Sequence, residues 1–119
     1  MKTFFIVVLV LNFLFETLAG VALITGPTGL GADSWAADGM WGMNYGFGAL
    51  AIASMLLWVW PLRTNLAAVS VALGVLITFH VGLTISLAIP GNQMAPMLAH
   101  AVMAVLCIVA YTQRRRWAS

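Results

Sequence analysis

Of the 119 residues, 63% are hydrophobic and only 7% are charged, with five Lys or Arg against three Asp or Glu. A water-soluble domain carries about a quarter charged residues, so this composition excludes a soluble globular enzyme, a disordered tail and a nucleic-acid-binding module, and nucleic acid is not an expected partner. What remains is an all-α polytopic membrane protein, in which a formal charge of +2 reads as topology rather than as affinity for an acidic partner.

A membrane-spanning helix needs about 20 apolar residues. The first expected helix runs from Thr3 to Thr25. Its start, Met1-Lys2 followed by an apolar core to Phe15, resembles a secretory signal with a cleavage point after Ala19. The apolar run continues through Val21-Ala22-Leu23-Ile24, however, and is long enough to span, so the expectation is an uncleaved helix. Gly26-Pro27-Thr28-Gly29 breaks it, and the stretch to Gly39 has the Gly, Asp and Ser content of a turn. The second helix is expected over Met40–Trp60, stopping at Pro61. It is rich in small residues (Gly42, Gly46, Gly48, Ala49, Ala51, Ala53, Ser54), and Gly42-x-x-x-Gly46 lets backbones approach closely; packing within a bundle is preferred to a dimer seam. The connection Leu62-Arg63-Thr64 is so short that the flanking helices must be antiparallel neighbours. The third helix is expected over Asn65–Ile89, ending at Pro90-Gly91. Asn92 or Gln93 then caps a fourth helix over Met94–Gln113, with Pro96 tolerated in its first turn. A basic tail, Arg114-Arg115-Arg116, follows.

These elements predict a single integral membrane domain over residues 1–119, an up-down-up-down four-helix transmembrane bundle. Lys2, Arg63 and the three tail arginines are all the basic residues, and four spans place them on one side. The positive-inside rule makes that side cytoplasmic. The predicted protein is therefore N-in and C-in in a bacterial-type inner membrane, with Asp33 and Asp38 outside. Trp58, Trp60 and Trp117 fall at the inner interface and Trp35 and Trp41 at the outer one, the expected aromatic belts. Cys107 is the only cysteine. It excludes an intramolecular disulfide and CxxC redox chemistry, and counts against a quinone-linked disulfide reductase.

Glu16, His80 and His100 are the carboxylate and imidazole groups inside the predicted spans. Counted from the outer helix ends at 1.5 Å per residue, all three lie about 9–14 Å deep. Asn12 is one turn below Glu16 on the same face, Thr84 is one turn above His80, and Asn44 and Tyr45 enter the layer from the second helix. An ionisable group in hydrocarbon costs roughly 3 kcal/mol at a helix centre, so such groups face the interior and pair; Glu16 is expected to hydrogen-bond His80. One reading makes this layer polar glue between helices. The other makes Glu16, Asn12, Asn44, Tyr45, His80, Thr84 and His100 a ligand-binding or proton-linked site. No catalytic residue and no cofactor is predicted. Three specific chemistries were open: a haem with His80 and His100 as axial ligands; a copper(I) ion on soft ligands such as His80, Met97, His100 and Met103, with Met94, Met40 and Met43 nearby; and a proton-carrying Glu16 in a transporter.

The segment Phe15-Glu16-Thr17-Leu18-Ala19-Gly20-Val21-Ala22-Leu23-Ile24-Thr25-Gly26-Pro27 resembles the first helix of DoxX-like small membrane proteins. Phe79-His80-Val81 and Ala99-His100-Ala101 are similar to histidine positions in the later helices of some members. The resemblance spans most of the chain by helix order and a few polar positions. It implies an up-and-down four-helix bundle of the inner membrane and, for some members, an accessory role beside quinone or sulfur-compound oxidation. The functional expectation is a non-enzymatic accessory subunit or binder of a lipid-like or quinone-like molecule in a polar pocket of the outer membrane half. The expected partners are the lipid bilayer and a larger membrane complex or a second copy of the chain. The alternatives are a proton-coupled small-molecule transporter using Glu16 and a haem- or copper-binding subunit of a redox complex.

Overall fold

The computed structural model describes residues 1–26, 37–91 and 93–119, and for residues 37–41 the helix without its side chains. The predicted turn over 27–36 with Asp33 and Trp35, the Asn92 cap, and the side chains of Asp38, Met40 and Trp41 lie outside the described residues. Every described element is helical: α1 (Lys2–Thr25), α2 (Ala37–Ala53), α3 (Met55–Val59), a 3-10 turn (Trp60–Leu62), α4 (Leu66–Ala88), α5 (Met94–Gln113) and a second 3-10 turn (Arg114–Arg116). Among the described residues, four stretches of 24, 21, 23 and 23 residues are long and apolar enough to cross a membrane: Lys2–Thr25, Gly42–Leu62, Leu66–Ala88 and Met94–Arg116.

Three of the four predicted helices have their expected bounds within a residue. The second does not: it begins earlier, at Ala37, and is broken at Ser54. The Ser54 hydroxyl donates to Ala51 O at 2.6 Å, and Leu57 N bonds Ser54 O at 2.9 Å, an i to i+3 step where the regular helix has i to i+4. A serine side chain competing for a nearby carbonyl is the usual cause of such a tightening. Pro61 has no N–H to continue an α-helix, and it falls in the 3-10 turn. Asn65 caps α4, its side chain accepting from Ala68 N at 3.0 Å. Gln93 stands at the N-cap position of α5 but makes no side-chain cap bond, which corrects the capping role expected of it. Gly91 takes a φ of 71°, a left-handed conformation that favours glycine after a helix end.

The chain forms two compact units, Met1–Val8 with Trp58–Ser119, and Leu9–Leu57. In the first, α4 and α5 make an antiparallel hairpin. Along it Ser70 meets Arg114 and His80 meets His100, so the partners step in opposite directions. The buried residues of α4 (Val69, Ala72, Leu73, Leu76, His80) and of α5 (His100, Met103, Ala104, Cys107, Ala110) recur at three- and four-residue spacings, which put each set on one helix face. The basic tail is anchored at its first residue. Arg114 Nε donates to Ser70 Oγ at 2.7 Å and its Nη1 to Tyr111 O at 2.6 Å, while the guanidinium lies 3.5 Å from the Tyr111 ring centroid. Ser119 N donates to Thr64 O at 3.0 Å, and Leu66 N donates to Ser119 O at 3.1 Å. The second bond satisfies the first N–H of α4, one of the four that a helix start leaves without partners. Trp117, expected at an interface, stacks on Phe5 with centroids 4.7 Å apart.

In the second unit, the Leu9–Thr25 part of α1 and helix α2 are also antiparallel, and they meet backbone to backbone. A Cβ built on Gly20 would lie 2.8 Å from Gly46 O, and one on Gly46 would lie 2.9 Å from Gly20 O and 2.7 Å from Ile24 Cγ1. Only glycine fits at either position without displacing its neighbour. Gly46, one half of the small-residue pair read from the sequence, is thus spent on packing inside this unit. Gly48 has open space around it.

Candidate functional site

On α1 the buried positions Phe5, Val8, Leu9, Asn12, Glu16, Gly20 and Ile24 follow one helical stripe. Asn12 and Glu16 therefore occupy places where the pattern calls for core residues, and both have zero exposure. Asn12 Nδ2 donates to Ile52 O at 3.3 Å, at the last turn of α2 beside the break at Ser54. On α2, Tyr45 is half-buried and Asn44 is exposed.

The hairpin of α4 and α5 brings together the two histidines expected at matching depth. His80 is fully buried and His100 is 3% exposed. Their Nδ1 atoms are 3.0 Å apart, with ring centroids at 5.3 Å and planes tilted by 37°. At that separation one Nδ1–H donates and the other Nδ1 accepts. Both rings have Phe79 edge-on, at 5.3 Å from His80 and 6.0 Å from His100. The aromatic side chain closes one side of the pair with an apolar wall. Thr84 is half-buried, and its hydroxyl donates to the His80 carbonyl at 2.7 Å rather than to the ring. That is the ordinary back-bond of a helical threonine, so the geometry explains Thr84 locally.

The sulfur-bearing residues of α5 fall on or beside the same face. Met103 is 6% exposed and Cys107 is fully buried. Met97, three residues before His100, is half-buried, and Met94 at the helix start is exposed. Reasoning from sequence placed Met97, His100 and Met103 together. It also put Cys107 on the same inward stripe, which is where Cys107 lies, and it missed Phe79 as a wall. Nothing in the sequence pointed to the Ser70–Arg114 contact.

Two imidazoles in direct contact, with Phe79 against both, can do three things. They can share a hydrogen bond, accept or donate one toward a bound molecule, or present nitrogen lone pairs to a metal. Compared with models of known families, with curated proteins and with solved structures, the chain matches none.

Proposed function

We propose that this is a small multi-pass membrane protein that binds a lipid-like or quinone-like molecule, acting as an accessory subunit rather than as an enzyme. One observation carries the reading: Asn12, Glu16, His80 and His100 are buried in helices whose exposed faces are apolar. Leu18, Val71 and Ile85 are 72%, 67% and 59% exposed, a surface that water disfavours and hydrocarbon accepts. Within such helices a polar group is costly, and a ligand of mostly apolar surface with one or two hydrogen-bonding oxygens suits them. Quinones and lipid esters have that chemistry. The likeness of Phe15–Pro27 to DoxX-like proteins supports the same reading.

The topology that goes with it is an up-down-up-down bundle with both termini cytoplasmic in an inner membrane, supported by the placement of all five basic residues. A reporter fused after Ser119 should be active only in the cytoplasm; activity only in the periplasm overturns the orientation. Function is tested by gentle extraction from the native membrane, followed by mass spectrometry of organic-soluble material and of copurifying proteins. The expected result is a stoichiometric lipid-like or quinone-like compound, reduced in His80→Ala, together with a larger partner complex. A chain that comes out alone and without such a compound refutes the proposal. The transporter alternative is favoured by the complete burial of Glu16; proton-driven flux into vesicles that is abolished in Glu16→Gln would establish it instead.

A further inference from the structure

We propose that His80 and His100, with the thioethers of Met103 and Met97 beside them on α5, form a binding site for a soft transition-metal ion of the copper(I) class. The inference goes beyond the reading above and does not depend on an organic ligand.

The geometry comes first. Metal–imidazole bonds are about 2.0–2.1 Å long. Two ligand nitrogens 3.0 Å apart therefore subtend an angle of about 95° at a shared ion, on that bond length. Opening the pair by roughly 0.3 Å would give the tetrahedral angle at the same bond length. The two nitrogens are thus already at chelating separation. Trans ligation of a haem is a different arrangement, with the ligand atoms on opposite faces of the macrocycle. Rings in direct contact leave no gap for that plate, whereas a single ion replaces only a proton.

The proton accounting is simple. In the hydrogen-bonded pair one ring carries its proton on Nδ1. On metal binding that proton moves to Nε2 of the same ring, both Nδ1 lone pairs point to the ion, and both rings stay neutral. No oxidant or reductant is required.

The sulfur ligands decide the class of metal. Residues three apart on a helix share a face, so Met97 and Met103 flank His100 along α5. Burial deepens along this row: Met94 is 58% exposed, Met97 half-buried, and His100 and Met103 nearly inaccessible. The row runs from the exposed start of α5 to the buried histidines, as an entry path for an ion would. Met is an ordinary core filler, and a hydrogen bond alone accounts for the contact between the rings. The proposal rests on the two histidine nitrogens at chelating separation and on Met97 and Met103 standing three residues to either side of His100 on one helix. Thioether and neutral imidazole select copper(I) over magnesium, calcium or manganese, which require oxygen ligands.

The test uses the full chain, purified in detergent, stripped of metal and kept anaerobic. Copper(I) is presented in competition with a chromogenic chelator. Silver(I) serves as a redox-silent probe, and zinc(II) is titrated in parallel. One copper(I) per chain should resist the competitor. His80→Gln and His100→Gln should each weaken retention by at least about 100-fold, and Met103→Leu by about 10-fold. X-ray absorption should report both nitrogen and sulfur neighbours. Met103→Leu nearly conserves side-chain volume, so its effect is not one of misfolding, and metal-free thermal melts check the histidine variants. No retained copper(I), retention unchanged in both histidine variants, or tighter binding of zinc(II) than of copper(I) overturns the proposal and leaves a structural hydrogen bond only. Metal retention is read whether or not an organic molecule copurifies, so this proposal and the one above fail separately.

Discussion

The two compact units solve the same packing problem by opposite means. In the hairpin of α4 and α5, side chains fill the seam: Val69, Leu73 and Leu76 on one helix, Met103 and Cys107 on the other. In the α1–α2 pair the backbones themselves touch, at Gly20 and Gly46. Their buried polar groups differ in the same way. The hairpin pairs side chain with side chain, His80 with His100, whereas Asn12 reaches a main-chain carbonyl, that of Ile52. A seam of side chains has rotamers with which to absorb a change. A contact of backbones has none, because the helix cannot move without losing its whole row of contacts. The α1–α2 crossing should therefore be the brittle one and the hairpin the adaptable one.

Gly20→Ala tests brittleness most directly. The added methyl would sit 2.8 Å from a main-chain oxygen, so α1 and α2 must separate, at a cost of about 2–3 kcal/mol for overpacking. Reversible unfolding in mixed micelles should show that loss, and a wild-type midpoint would mean that the crossing is softer than drawn.

His80→Leu probes the hairpin. It removes the 3.0 Å partner of a buried ring and should cost about 1–2 kcal/mol. Replacing both histidines with leucine should cost less than the sum of the two single losses, since neither ring is then left without the other. A double variant as unstable as the sum of the singles would contradict an adaptable seam.

A smaller effect is expected at the start of α4. Asn65→Ala deletes the cap on Ala68 N and should cost about 1 kcal/mol, with amide exchange speeding up in the first turn only. If protection falls along the whole of α4, the cap does more than terminate the helix.

The smallest change separates glycines by their surroundings. Gly48→Ala meets nothing within 4 Å, so it should be neutral or stabilise by up to about 0.5–1 kcal/mol through helix propensity. Set beside Gly20→Ala, it gives opposite signs for one chemical change. Equal losses at both positions would end the contrast between open and closed glycines.

The sequence alone determined the elements. Hydrophobic runs long enough to span, bounded by Gly and Pro, placed α4 and α5 within a residue, because local propensity and chain termination are short-range effects written in neighbouring residues. It marked Asn12, Glu16, His80 and His100 for burial by the same means, as polar residues on stripes otherwise apolar or small, and both histidines by depth. What it left undecided were relations between atoms far apart in the chain. The break at Ser54 depends on a serine choosing a backbone acceptor over solvent, which its identity does not dictate. Arg114, read as part of a basic tail, docks on Ser70 because the hairpin brings the start of α4 and the end of α5 side by side. Matching depth put His80 and His100 at one level, but a level is a plane. That their nitrogens stand 3.0 Å apart, close enough to share a proton or an ion, was decided only when the hairpin turned both rings into the same seam.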